Sequence, residues 1–173
     1  MRLPKLLPSA CIPLGIGAVT VALGCGTPTA KSALPTRPID EGRAGVIIAK
    51  CLQKEGLQAV EGKVARIDGK PVKVDFTVEG KEFGVAYLST NDLGELAGTS
   101  LGKKKQLPGN PLRIEEAILE GGGTIRFVVL YSTDYQYDDT EGSDHEATVI
   151  TAENKLDRDV RDFVMITRRE KFK

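Results

Sequence analysis

The chain has 173 residues, which is enough for one hydrophobic core and too few for two ordinary domains once a leader is removed. Its 24 basic and 24 acidic residues balance, so it lacks the basic excess of a nucleic-acid-binding surface, and no nucleic acid is expected among its partners. No internal repeat is visible.

The chain opens with a short positive region, Arg2 and Lys5. Residues 6–24 are mostly apolar, but Pro8, Ser9 and Pro13 interrupt them. A membrane-spanning helix needs about 20 apolar residues in one run. The uninterrupted part here, residues 12–24, has the length of a signal-peptide hydrophobic region. Residues 1–24 are therefore expected to be a signal peptide. Ala22-Leu23-Gly24-Cys25 resembles the lipobox of bacterial lipoproteins, in which the signal is cut before the cysteine and the thiol receives a diacylglycerol. The resemblance covers residues 1–26. Gly24 and Cys25 match it, while Ala22 stands where leucine is usual. Ordinary cleavage at the same place is the alternative, since Ala22 and Gly24 are the small residues a standard signal peptidase accepts.

The lipobox resemblance implies lipidation at Cys25, with acyl chains such as palmitate, and a membrane as the partner of that lipid. It also implies the bacterial cell envelope as the location. Gly26 replaces the aspartate that commonly retains such proteins at the inner membrane, which implies the outer membrane, facing the periplasm. One acyl chain holds a protein only marginally, so stable anchoring takes two or more.

Residues 27–38, TPTAKSALPTRP, have the proline and threonine content of a polar tether. Residues 25–38 are thus read as lipidated cysteine and linker, and residues 39–173 as one globular domain. Loss of Arg2 and Lys5 with the signal leaves a net charge near −2. Cys11 departs with the signal and Cys25 carries lipid, so Cys51 has no disulfide partner. If Cys25 stays unmodified, a Cys25–Cys51 bridge becomes open.

Asp40 is suited to cap a helix over residues 40–55. Ala44, Ile47, Ile48, Cys51 and Leu52 recur at the spacing of one buried helical face, and Gly56 stops it. Cys51 on that face reads as a buried, inert thiol. Residues 60–67 form a first strand leading into Asp68-Gly69, a tight-turn dipeptide. Val72, Val74, Phe76 and Val78 alternate with Lys73, Asp75, Thr77 and Glu79, the pattern of a half-buried strand. After the Glu79-Gly80-Lys81 turn, residues 83–88 form a third strand, apolar on both faces. Ser89 or Thr90 caps a short helix to about Ala97.

Residues 98–109 are a polar loop whose Lys103, Lys104 and Lys105 read as solvated charge. Asn110-Pro111 is suited to start a helix carrying Leu112, Ile114, Ala117 and Ile118 inward, ended by Gly121-Gly122-Gly123. Residues 124–131, TIRFVVLY, have the apolar run of a central strand covered on both faces. Residues 147–151 either add a short strand or open the last helix. That helix runs over 153–168 with Leu156, Val160, Phe163 and Ile166 or Thr167 inward. The basic tail suits a helix C-terminus.

The expected fold is α/β (α+β) in the order αβββααβα. One mixed sheet of four to five strands carries the helices on its surface. The third and fourth strands are joined through helices, so they can pair in parallel with a right-handed crossover.

The order α-β-β-β-α-β resembles the core of restriction-endonuclease-like nucleases over about two-thirds of the mature chain, on element order alone. In that family a metal-binding aspartate sits on the second strand and a Glu-x-Lys pair on the third. Asp75 falls on the second strand. The third offers Val85-Ala86-Tyr87-Leu88, with neither acid nor lysine, and Glu79-Gly80-Lys81 lies in the turn. The resemblance implies a nuclease-like remnant at Asp75 with the rest of the site missing.

Residues 131–146, YSTDYQYDDTEGSDHE, gather Asp134, Asp138, Asp139, Glu141, Asp144, Glu146 and the single histidine, His145. Clustered carboxylates can hold Ca²⁺ through oxygen ligands. His145 with neighbouring acids suits Zn²⁺ or general-base chemistry. The spacing fails both templates: counted from Asp134, Asp139 occupies the position where the calcium loop requires glycine, and His145-Glu146 lacks a second histidine. A solvated acidic loop without a metal is the plainer reading. Ser143 lacks the glycine-flanked turn of a nucleophile, and Gly121-Gly122-Gly123 runs from helix to strand, opposite to a phosphate loop.

The expected function is a non-catalytic binding or scaffolding role for an unknown envelope protein or ligand, with no cofactor. The alternative is a metal-dependent hydrolase using residues 134–146, with His145 and Asp75 as helpers.

Overall fold

In the computed structural model, residues 34–102, 112–140 and 147–172 are described. The signal peptide, Cys25, most of the tether, Lys103 to Lys105, Asn110-Pro111 and the acidic-loop residues Glu141, Asp144, His145 and Glu146 lie outside them.

Asp40 caps α1 (Glu41–Lys54) by accepting from the Arg43 amide at 2.9 Å. Ala44, Ile48, Cys51 and Leu52 are its buried face, as their spacing predicts. The helix ends before Gly56, which adopts the left-handed conformation. Three strands follow: β2 (Ala59–Ile67), β3 (Lys70–Val78) and β4 (Phe83–Leu88). Asp68 and Gly69 both take positive φ in the β2–β3 turn. Next, α2 (Thr90–Glu95) is held by a reciprocal capping box between Ser89 and Asp92.

The helix expected after Asn110-Pro111 is a strand, β5 (Arg113–Leu119). The glycines behind it form a hairpin turn, with the Leu119 amide donating to the Gly123 carbonyl at 3.0 Å. That turn lays β5 antiparallel on β6 (Thr124–Tyr131). Glu116 faces Arg126 across the ladder and binds it at 2.8 Å. Tertiary pairing overrides a helical spacing that spans barely two turns. Ile118, assigned inward by the helical reading, is 66% exposed on the outer face.

The chain then makes a 3₁₀ turn (Ser132–Asp134) and a short strand, β7 (Gln136–Tyr137), which pairs with β1 (Arg37–Pro38). Thus β1 lies within the expected tether. The last helix, α3 (Val149–Arg169), starts at a Thr148 cap, so residues 147–151 open this helix and add no strand. Among the described residues, no helix is long and apolar enough to cross a membrane.

The α+β class holds, but the open sheet and the order αβββααβα do not. The central strands close into a barrel in the order β2-β3-β4-β6-β5. From α1 to α3 the element order behind the nuclease resemblance therefore reads αβββαβββα, the 3₁₀ turn aside. As expected, β4 and β6 pair in parallel. The barrel is sealed between β2 and β5 by Ala65↔Leu119 and Arg66↔Ile118.

Closure divides the apolar residues between two cores. Ala65, Val72, Val74, Ala86, Phe127 and Val129 fill the barrel. Phe83, Val85, Tyr87, Val128 and Leu130 face outward and pack under α1 and α3. Phe83 meets Phe163 edge to face, with ring centres 6.0 Å apart. This double burial explains why β4 and β6 are apolar on both faces.

Candidate functional site

The stripe Val72, Val74, Phe76, Val78 does not bury on one surface. Val72 and Val74 enter the barrel core, whereas Phe76 and Val78 join the helical core. The strand therefore bends between them, at Asp75. Two glycines accommodate the bend. A Cβ on Gly62 of β2 would lie 2.0 Å from the Val74 carbonyl oxygen and 2.6 Å from that of Asp75. A Cβ on Gly84 of β4 would lie 2.5 Å from the Phe76 carbonyl oxygen. Neither contact is physically possible without backbone movement, so both positions require glycine.

Strand β3 pairs with β4 through Phe76↔Val85 and Thr77↔Gly84. Past this pairing, the Tyr87 amide donates to Asp75 Oδ2 at 2.7 Å. A side-chain carboxylate thus occupies the gap left by the bend and satisfies a backbone donor that burial would otherwise make costly. The other oxygen, Oδ1, lies 3.1 Å from Lys73 Nζ. Burial dominates the Asp75 carboxyl and pushes its pKa up; the Tyr87 amide and Lys73 pull the other way, and the Asp92 charge adds to the rise. The Lys73 ammonium is held above its usual value by its hydrogen bond to, and the charge of, Asp75.

Two adjoining cavities of about 220 and 300 Å³ meet here and share Glu41, Lys73, Asp75 and Tyr87. Asp92, Glu95, Val64 and Leu96 extend the first; Gly45, Ile48 and Phe76 extend the second. Their size is at or below the lower end of typical small-molecule pockets. The lining is acidic, with Glu41, Asp75, Asp92 and Glu95; of these, Asp92 caps α2 through Ser89 and Asp75 braces the bend.

Asp134, Asp138 and Asp139 do not line this cleft, although Tyr135 of the same segment packs beside Tyr87 with ring centres 6.1 Å apart. Asp138 is buried and accepts from the Thr140 amide at 3.1 Å. Asp139 pairs with Arg37 at 2.8 Å on the surface. Lys155 donates to the Asp134 carbonyl at 2.9 Å. Tyr135 is buried and donates from its hydroxyl to Asp159 Oδ2 at 2.9 Å; burial, then the Asp159 charge, raises its pKa strongly. Among the described residues, no three histidine, cysteine or acidic side chains converge to hold a metal ion.

Cys51 sits in the helical core, and its thiol donates to the Asp157 carbonyl at 3.3 Å. Burial, and secondarily the Asp157 charge, pushes the thiol up to about 11. That is the inert environment its position on α1 implies.

The roles of Gly62, Gly84 and Tyr87 were not visible in the sequence. The available signal was a glycine inside a strand, which marks a close backbone approach without naming the partner. Comparison with protein-family models, with curated proteins and with solved structures finds no match, so the site is read from its own residues.

Proposed function

We propose that this chain is a lipid-anchored cell-envelope protein with a non-catalytic binding or scaffolding role. Diacylglycerol on Cys25 holds it to the outer membrane, and the barrel domain faces the periplasm. The observation that best supports a non-catalytic role is the engagement of Asp75. The one aspartate suggested by the nuclease-like order braces a strand bend through the Tyr87 amide and Lys73. A carboxylate placed by backbone geometry in this way is a strut.

The architecture adds support by fold analogy alone. Five-stranded Greek-key barrels of the oligonucleotide/oligosaccharide-binding kind use the face of their second and third strands for ligands. The equivalent strands here are β3 and β4, and the outer side of β4 is buried under α1 and α3. Of that face, the part around Lys73 and Asp75 stays open, in the cleft bordered by Glu41 and Tyr87. The balanced charge of the chain agrees with a partner other than nucleic acid.

Fractionation of cells expressing the full chain tests the anchor. The wild-type protein is expected in the membrane fraction, with the mass of a diacylglyceryl-modified Cys25. Cys25→Ala is expected to be released or left unprocessed. A mature N-terminus at an unmodified Cys25 would overturn the anchor.

A further inference from the structure

The chain ahead of α1 is tied to the tyrosine-and-acid segment at four successive points. Thr36 Oγ1 donates to Gln136 Oε1 at 2.9 Å. Arg37 and Pro38 pair in register with Tyr137 and Gln136. The Arg37 guanidinium sits 5.0 Å from the centre of the Tyr137 ring and binds Asp139 at 2.8 Å. The Ile39 amide donates to the Tyr135 carbonyl at 3.0 Å. In an antiparallel ladder, hydrogen-bonded pairs recur at every second residue, so Arg37 and Tyr137 form the next such pair outward.

The two ends of this strap differ physically. Ile39 is 2% exposed, and its carbonyl accepts from the buried Tyr87 hydroxyl at 2.7 Å. Arg37 and Asp139 have side chains 60% and 63% exposed. A two-residue ladder is marginal by itself. An exposed ion pair contributes little and is screened by salt. The inner end thus shares the stability of the core, while the outer end depends on contacts of small and salt-sensitive strength. Such a gradient defines a segment that opens locally while the domain stays folded.

We propose that Thr36 to Pro38 is a releasable strap over residues 136–139, hinged at Ile39. When it is seated, Arg37 covers part of the half-buried Tyr137 ring and pairs Asp139. When the preceding chain draws it away, both become available and the barrel is undisturbed. The strap couples the position of the N-terminal stem to the exposure of this segment. It rests on contacts within the domain and holds whether or not Cys25 carries lipid.

Amide hydrogen exchange on the full chain, followed by NMR, tests this. The Arg37 and Tyr137 amides are expected to exchange together, much faster than the Ile39 amide and those of β4. Raising salt to 1 M is expected to speed the outer pair and leave Ile39 unchanged. Arg37→Ala and Asp139→Asn are each expected to speed Tyr137 exchange about two- to fivefold, the range of a surface ion pair. The proposal is overturned if Tyr137 exchanges at the rate of the β4 amides. It is equally overturned if both substitutions leave Tyr137 exchange unchanged, or if they speed Ile39 and β4 to the same degree.

Discussion

If Asp75 is a strut, its removal should cost stability in a way that depends on hydrogen-bonding ability more than on charge. Asp75→Ala leaves the Tyr87 amide without its 2.7 Å acceptor, and Tyr87 is 4% exposed. An unpaired buried donor costs about 1–3 kcal/mol. Loss of the Lys73 contact adds under about 1 kcal/mol, because Lys73 is largely solvent-exposed. The expected sum is about 1–4 kcal/mol, equivalent to a fall in Tm of roughly 4–16 °C for a domain of this size. Asp75→Asn keeps an acceptor at the same place and should cost clearly less.

The pH dependence follows from the direction of the Asp75 shift. Its folded-state pKa lies above the ordinary value of 3.8, so the folded chain binds the proton more tightly than the unfolded chain. The ionised form therefore opposes folding. That penalty is complete above the raised pKa and absent below the ordinary carboxylate value. Relative to Asp75→Asn, the wild-type protein should gain stability as pH falls from 7 toward 3. Urea melts of the three proteins at several pH values measure this difference while cancelling the common effect of acid. The strut argument fails if Asp75→Ala stays within about 0.5 kcal/mol of wild type, or if Asp75→Asn costs as much as alanine. A wild-type loss relative to Asp75→Asn on acidification would refute the assigned shift.

Other substitutions probe the packing. Gly62→Ala should destabilise by about 3 kcal/mol or more, because its Cβ would meet the Val74 carbonyl at 2.0 Å; a denaturation midpoint near wild type would contradict the bend. Cys51→Ala should cost about 1–2 kcal/mol, and Cys51→Asp far more, since a charge would enter a dry core. With its pKa raised to about 11, the native Cys51 thiol should react with a thiol reagent only as fast as the protein opens. Rapid labelling in the native state would place the residue at the surface.

Local patterns carried much of the fold. Asp40, the apolar face of α1 and Gly56 define one helix by capping, spacing and stop. Asp68-Gly69 and Gly80 punctuate three strands, and β4 pairs in parallel with β6 as the helical connection allows, although only α2 of the two helices expected there forms. The error at β5 has a physical origin. Leu112, Ile114, Ala117 and Ile118 satisfy a helical period over a short window, but the partner that decides the matter is β6, which local spacing does not report. Barrel closure is non-local in the same sense, since its seam joins Ala65 to Leu119. At the candidate site, Asp75 was legible as a polar residue in an alternating strand. Its task was not, because it depends on how far β3 diverges from β4 beyond Phe76. The carboxylates from Asp134 to Asp139 read as one cluster in sequence, yet folding gives Asp138 and Asp139 separate partners.

Thermal melts of the full chain with increasing Ca²⁺ or Zn²⁺ test the non-catalytic reading most directly, because a ligand stabilises only through binding to the native state. With Asp75 acting as a strut, Asp138 bound to the Thr140 amide and Asp139 paired with Arg37, Tm should stay within about 1 °C of its metal-free value. A saturable rise of several degrees, lost in Asp75→Asn, Asp138→Asn or Asp144→Asn, would contradict the account and favour a metal-dependent hydrolase.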